Sequence, residues 1–339
     1  MKLSNCIKAV ALAALGSVAA LPAAAQDPSD PFRGPALSTL EGKWVAYLPI
    51  SAGFDLAQAW GGVVKEEAEK YGMRFTIQDP NWVTDAMSQG MTSLIAEGPD
   101  VIVTQNPDTQ SLARLLMQAN RKGITVIQMN MQGAVQTDAY VGPDYVGLGR
   151  QIANLAIEKC GAGTDTSHKI SIVQGVLTGG VSYFQVQGIM EVLKDRDDIQ
   201  IVSSQAADWD ASKARAITET VLQQHPDLCA ILDMWDGQAI GTGAAVKQAG
   251  LADSVSVITS GGGAKSTCDL IRDDTFDVVY NYDAPGMGRD AWTAIMISLQ
   301  NGGGGKTKTQ IFSPAWPMTK ENVDKASCWD PEIYAKRLR

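Results

Sequence analysis

The feature that most constrains this chain is an alternation, kept up along most of its length, between short apolar runs and longer segments with helical spacing. Val101-Ile102-Val103 is apolar at every position, as a strand covered on both faces requires. Asp55 to Tyr71 instead places Leu56, Trp60, Val64 and Ala68 on one helical face, and Gly72 can end that helix. Strand character follows at Trp44–Ile50, Met73–Gln78, Val101–Val103 and Ile124–Gln128. Helical spacing fills the gaps at Asp55–Tyr71, Asp85–Glu97 and Ser111–Lys122. Past Gly142 the order resumes with helix Leu148–Lys159, strand Ile170–Val173, helix Ser182–Leu193, strand Ile199–Ser203 and helix Ser212–Gln223. Ala230–Asp233, Gln238–Lys247, Ser256–Ile258, Thr267–Asp273 and Val278–Tyr280 continue it, and a last helix covers Met287–Gln300. Strands that alternate with helices pair in parallel through βαβ crossovers. The expected fold is therefore α/β, with two doubly wound parallel sheets in series. A chain of 339 residues is also too long for one ordinary core.

The first residues point to a compartment. Lys2 and Lys8 bracket a positive start, Ala9 to Ala20 is apolar, and Ala23-Ala24-Ala25 supplies small residues for cleavage. Residues 1–25 are expected to be a signal peptide cut before Gln26, which sends the protein to a periplasm. The apolar stretch is shorter than the roughly 20 residues of a membrane span. Cys6 precedes the stretch, which is the wrong place for a lipid-anchored cysteine. Residues 26–40, with Pro28, Pro31 and Pro35, read as an extended linker. A net charge of −9 argues against nucleic acid, whose phosphates call for basic patches.

Behind the leader stand Cys160, Cys229, Cys268 and Cys328. An even number in an oxidising compartment predicts two disulfides, in any of three connectivities. No pair forms C-x-x-C, and His168 and His225 are the only histidines, so no metal site and no cofactor are expected.

Ligands of open α/β sheets bind beyond the carboxyl ends of the strands. In the first half those ends carry Phe54-Asp55, Asn81-Trp82, Gln105-Asn106 and Asn130-Met131-Gln132. In the second they carry Asp208-Trp209-Asp210, Trp235-Asp236, Ser260-Gly261-Gly262 and Asn281-Tyr282-Asp283; Gln185 lies in the helix after the first of these strands. Aromatic faces pack on the C–H face of a sugar or polyol, and amide and carboxylate groups meet its hydroxyls. Arginine, the usual partner of a carboxylate or phosphate, is missing from these ends. A neutral polyhydroxy ligand is the expectation. Trp44, Trp60 and Trp292 fall inside elements and are read as core. Asp55, Asp236 and Asp283 beside Trp235 and Tyr282 would offer the alternative of a box for an amine.

Catalytic patterns are weak. Both histidines precede strands, the wrong end of the sheet for Ser/His/Asp chemistry. Asp208 and Asp210 could pair for glycoside hydrolysis, but nothing else marks them. Gly261-Gly262-Gly263-Ala264-Lys265-Ser266 lacks the spacing of a phosphate loop. The chain is read as not an enzyme.

Several local patterns recur in order. They are Asn106-Pro107-Asp108 after a buried strand, Gly123-Ile124-Thr125-Val126-Ile127, Tyr140-Val141-Gly142-Pro143-Asp144 and Ala207-Asp208-Trp209-Asp210. His225-Pro226-Asp227 and Pro317-Met318-Thr319-Lys320-Glu321-Asn322-Val323 complete the set. In these the chain resembles the type I periplasmic binding proteins of sugar ABC importers, in the ribose-binding-like group. The resemblance runs from about Lys43 to Lys325.

It implies two lobes joined by three hinge crossings, near Val141–Gly147, Asp283–Gly286 and Phe312–Pro317. The N-terminal lobe would be 41–143 plus 286–311, and the C-terminal lobe 144–285 plus 312–339. It also implies a small-molecule ligand and an ABC permease in the inner membrane as partners; a sensory receptor facing a membrane kinase is the alternative. Phe54 and Trp209 fall where the family stacks aromatics on ligand. Asn130 and Gly261 fall at common aspartates, Met131 and Gln185 at common arginines, Trp235 at an asparagine with Asp236 beside it, and Tyr282 at a glutamine. The pocket implied is more aromatic and less charged than in many relatives. From the lobe placement follow the disulfides Cys268–Cys328 and Cys160–Cys229.

Overall fold

The structure, a computed structural model, describes residues 30–339; the leader expected at 1–25 lies outside the described residues. A short helix, α1 (Arg33–Ser38), precedes the first sheet, where the sequence reading expected extended linker. Then come β1 (Trp44–Leu48), α2 (Asp55–Lys70), β2 (Arg74–Ile77), α3 (Thr84–Glu97), β3 (Val101–Thr104), α4 (Ala113–Arg121), β4 (Thr125–Met129) and β5 (Ala139–Gly142). The second lobe follows with α5 (Tyr145–Cys160), β6 (Lys169–Gln174), α6 (Gly180–Leu193), β7 (Gln200–Ala206), α7 (Ala211–Gln224) and β8 (Ala230–Asp233). It continues through α8 (Asp236–Gln248), β9 (Ser256–Gly261), α9 (Lys265–Arg272) and β10 (Val278–Asn281). The chain ends with α10 (Ala284–Gln300), β11 (Thr309–Phe312), β12 (Trp316–Met318), a 3-10 turn at Val323–Lys325, and α11 (Pro331–Leu338).

One sheet has the order β11-β5-β4-β3-β1-β2 and the other β12-β10-β9-β8-β6-β7. All pairings are parallel except β10 with β12. The two orders superpose term by term, so β1 corresponds to β6, β2 to β7 and β3 to β8. Three connections pass between the sheets: β5 to α5, β10 to α10, and β11 to β12. The central strands β1, β3 and β4 are buried over nearly their whole length, which explains their uninterrupted apolar runs. Trp60 and Trp292 are buried in the core; Trp44 is half-buried, its indole donating to Thr76 Oγ1 at 2.8 Å.

Three strands escaped the sequence reading: β5, β11 and β12 are short, and two of them lie at sheet edges. Their pairing is made by distant chain, so no local period marks them.

The tail departs from the expected division. Residues through Cys328 stay with the second lobe, but α11 crosses back and packs on α2 of the first. Two glycines make its bed. A Cβ on Gly62 would come within 2.9 Å of the Tyr334 carbonyl, and one on Gly61 would meet the Tyr47 ring and Leu338. Arg337 pairs with Glu66 at 2.7 Å. Trp329 anchors the crossing, its indole donating to the Gly262 carbonyl at 2.6 Å. This placement is tertiary, since nothing in the spacing of so short a helix names its partner.

Cys160–Cys229 and Cys268–Cys328 are bonded, 69 and 60 residues apart in sequence; all four cysteines sit in the second lobe, and the second loop runs out through α10 and β11 of the first and back. Loops of that size constrain the unfolded chain by about 4 kcal/mol each in the chain-entropy account. Ending the chain after Asp330 is expected to expose the Gly61 face of α2 and cost about 2–3 kcal/mol, the worth of one buried leucine. A urea midpoint equal to the parent's would show that α11 merely rests there.

Candidate ligand site

The carboxyl ends of the two sheets face one another, and a cavity lies between them. From the first lobe the loop after β1 contributes Ile50 and Phe54, with Leu56 in the first turn of α2. Trp82 follows β2, Gln105 follows β3, and Asn130 and Met131 follow β4. The second lobe adds Tyr145, Val181, Trp209, Met234 and Trp235, and Tyr282 stands at the β10–α10 crossing. None of these thirteen residues carries a charge.

Aromatic rings bridge the lobes. Phe54 lies 5.1 Å from Trp82 within the first lobe and meets Trp235 of the second edge-on at 5.9 Å. Trp82 reaches Trp235 at 6.4 Å, and Trp235 meets Trp209 edge-on at 6.3 Å. These are favourable ring separations.

The loops that present the rings are strained alike. Asn81 and Trp82 have φ of 48° and 66°, and Asp208 and Trp209 have φ of 53° and 65°. Left-handed backbone at a bulky L residue costs about 1–3 kcal/mol and persists only where surroundings hold it. The holders are visible: the Trp82 amide donates to the Ile50 carbonyl at 2.8 Å, and the Trp209 amide to Gln238 Oε1 at 2.9 Å. Since β2 and β7 are equivalent edge strands, the two tryptophans occupy matching places in the two lobes.

Polar groups are few. Gln105 Oε1 accepts from the Ile50 amide at 3.1 Å, and Asn130 Oδ1 accepts from the Tyr145 hydroxyl at 2.6 Å. Tyr282 is 3% exposed, and its hydroxyl has no hydrogen-bond partner among the described residues.

With this geometry in place, comparison with known proteins is informative. The sequence profile of the family described as "Periplasmic binding protein domain" matches residues 45–303. The chain belongs to that family. It is 27% identical to the ribose import binding protein of Bacillus subtilis over 190 residues, 55% of this chain and 60% of the relative. It is 27% identical to the xylitol-binding protein of Mycolicibacterium smegmatis over 254 residues, 73% of this chain and 68% of the relative. The chain thus spans about 60% of the length of the Bacillus protein. Among solved structures, an ABC transporter solute binding protein from Agrobacterium vitis with bound D-fucose superposes with a TM-score of 0.74. It has 21% identity and covers 83% of this chain and 97% of that one. Periplasmic binding proteins are solute-binding proteins, and their shared architecture is the two-lobed α/β fold seen here.

Of the residues singled out from sequence, Phe54, Trp82, Asn130, Met131, Trp209, Trp235 and Tyr282 line this cavity. Five others do not. Asn106 is buried and donates to Gln128 Oε1 and the Met131 carbonyl, bracing the loop after β4. Gln185 is fully buried in α6, its amide 3.4 Å from the Met234 carbonyl. Asp236 lies behind Trp235 and accepts from Thr267 Oγ1 at 2.6 Å. Its carboxylate fills the space a side chain at Gly261 would need, so Gly261 is where it is for packing. Asp55 sits across the seam from Asp236 and outside the cavity lining.

Of the acids weighed for an amine box, Asp55 and Asp236 come together near Tyr282, whereas Asp283 pairs with Arg289 at 3.1 Å. Asp208 and Asp210 do not form a catalytic pair: the first binds Lys213 at 2.9 Å and the second caps α7. Sequence reasoning missed Ile50, Leu56, Tyr145, Val181 and Met234. Tyr145 carried the only usable signal, standing within the first expected crossing, Val141–Gly147.

Burial, and then the Asp55 carboxylate, push Asp236 up from 3.8 to about 7. A carboxyl whose folded value is raised contributes stability below its unfolded value, and that contribution is lost as pH rises through the folded value. The window here is about pH 4 to 7. Asp236→Asn is expected to flatten the fall in melting temperature across that window; a profile as steep as the parent's would acquit Asp236.

Proposed function

We propose that this protein is a periplasmic solute receptor that delivers a small neutral molecule of the sugar or polyol class to an ABC importer in the inner membrane. The observation that carries this reading is the uncharged lining of the interlobe cavity, with aromatic rings on both walls and a few amide and hydroxyl groups between them. A carboxylate or phosphate ligand would leave its charge unpaired in such a site. Relatives named for ribose import and for xylitol binding, and a similar structure holding D-fucose, point the same way. Export through a cleaved leader at residues 1–25 fits a periplasmic receptor.

The mechanism follows from the build. Each lobe is rigid through its own sheet, and the lobes join through three short crossings. A solute that touches Phe54 and Trp82 on one side and Trp209 and Trp235 on the other favours the closed form over the open one. A permease can then read the closed outline. A catalytic role has no support: His168 Nδ1 lies 2.6 Å from the Cys160 carbonyl, at the opposite end of the sheet from the cavity.

Two measurements test this. Protein unfolded and refolded to strip any carried solute should gain about 5–10 °C in a thermal shift with the right neutral sugar or polyol at a hundred times its Kd. A response confined to charged solutes would reject the reading. Trp235→Ala and Trp209→Ala should each weaken binding at least ~30-fold, as loss of a buried aromatic anchor does, while the far-UV spectrum is unchanged. Parent-like affinity in both would move the site elsewhere.

A further inference from the structure

The cavity divides into two unlike halves. Phe54, Trp82, Trp209 and Trp235, from the ends of β1, β2, β7 and β8, make an aromatic half. Gln105, Asn130 and Tyr282, from the ends of β3, β4 and β10, make a narrow polar half.

Hydrogen-bond accounting sharpens the contrast. The Gln105 carbonyl oxygen accepts from the Ile50 amide and that of Asn130 from the Tyr145 hydroxyl, so each side chain keeps its N–H groups and one lone pair for the cavity. The indole N–H groups of Trp209 and Trp235 are buried and have no partner. Tyr282 supplies the one unengaged lining hydroxyl able to accept, apart from the bonded Tyr145. The nearby carboxylates stand outside this lining: Asp236 accepts from Thr267 and the Gly237 amide and Asp55 from the Leu56 amide, while Asp108, Asp208 and Asp210 line the adjoining space beside Trp82 and Trp209. Polar side chains are thus few and gathered in one half of the cavity, and the rest of its wall is apolar.

We infer that the solute is a neutral ring stripped of hydroxyls on one face and edge, a deoxygenated sugar, with its remaining oxygens gathered along a single side. This rests on the neutral-solute reading above and narrows it. A hydroxyl of a fully oxygenated hexose that points at the aromatic half finds no acceptor side chain there once the cleft closes. One left without costs about tenfold or more in affinity. A C–H or methyl edge at the same place packs on Phe54, Trp82 and Trp235 instead. Oxygens facing Gln105, Asn130 and Tyr282 accept from the amides and share a proton with the phenol.

Titration calorimetry on the full protein, stripped of carried solute, tests this with matched pairs. The probes are D-fucose against D-galactose, L-rhamnose against L-mannose, and xylitol as a linear polyol. The expected result is a 6-deoxy member that binds at least ~10-fold tighter than its parent hexose. Gln105→Ala and Asn130→Ala should weaken that ligand without changing the ratio within the pair, and Trp82→Leu should narrow the ratio. A parent hexose or xylitol binding as tightly as the deoxy sugars overturns the inference and leaves the neutral-solute reading standing. Binding of charged solutes alone, or of none of the neutral probes, overturns both.

Discussion

Parallel pairing is the constraint on which the rest of this structure depends. A strand that runs parallel to its neighbour must be reached by a crossover, and helices α2 to α4 in the first lobe and α6 to α9 in the second provide most of these. The consequence is that the carboxyl ends of the strands in each lobe gather at one edge. Two such edges, brought together by three short crossings, enclose a cavity whose walls are loops and helix starts. The site is a by-product of the topology, and its chemistry is decided by what stands in those loops.

What stands there is mostly ring surface. The contact of Phe54 and Trp82 with Trp235 ties the lobes, with no ion pair across the cavity among the described residues, and the left-handed turns at Asn81-Trp82 and Asp208-Trp209 present the indoles to it. A charge-free wall suits a solute that offers apolar surface. It also explains why the buried carboxyls Asp233 and Asp236 are held back from the cavity, each satisfied by neighbouring hydroxyl and amide groups. Asp233 is raised to about 7 by its burial, which a ligand-facing, solvated acid would not be.

The tail adds a second kind of link between the lobes. One end is stapled to α9 through Cys268–Cys328, and the other lies on α2 as α11, with only Trp329 and Asp330 between. Trp329 fills that gap, hydrogen-bonded to the glycine loop at Gly262 and Gly263. The loop once weighed as a phosphate cradle is thereby a seat for the tail.

The sequence by itself determined the alternation of elements, and through it the two doubly wound sheets. Apolar runs such as Val101–Val103 and helical stripes such as Leu56-Trp60-Val64 encode burial residue by residue. It also marked the strand ends where Phe54, Trp209 and Trp235 stand, because topology ties ligand sites to those ends. Only the tertiary structure decided which of the marked residues face the cavity. Asp236 and Gln185 turn into the protein and Tyr145 turns toward the cleft, since a side chain's direction depends on packing against distant chain. The same reason hid β5, β11 and β12, whose partners lie far away in sequence, and the return of α11 to the first lobe. Local periodicity reports how a segment is buried, while its neighbours across the fold are set by packing that no single segment contains.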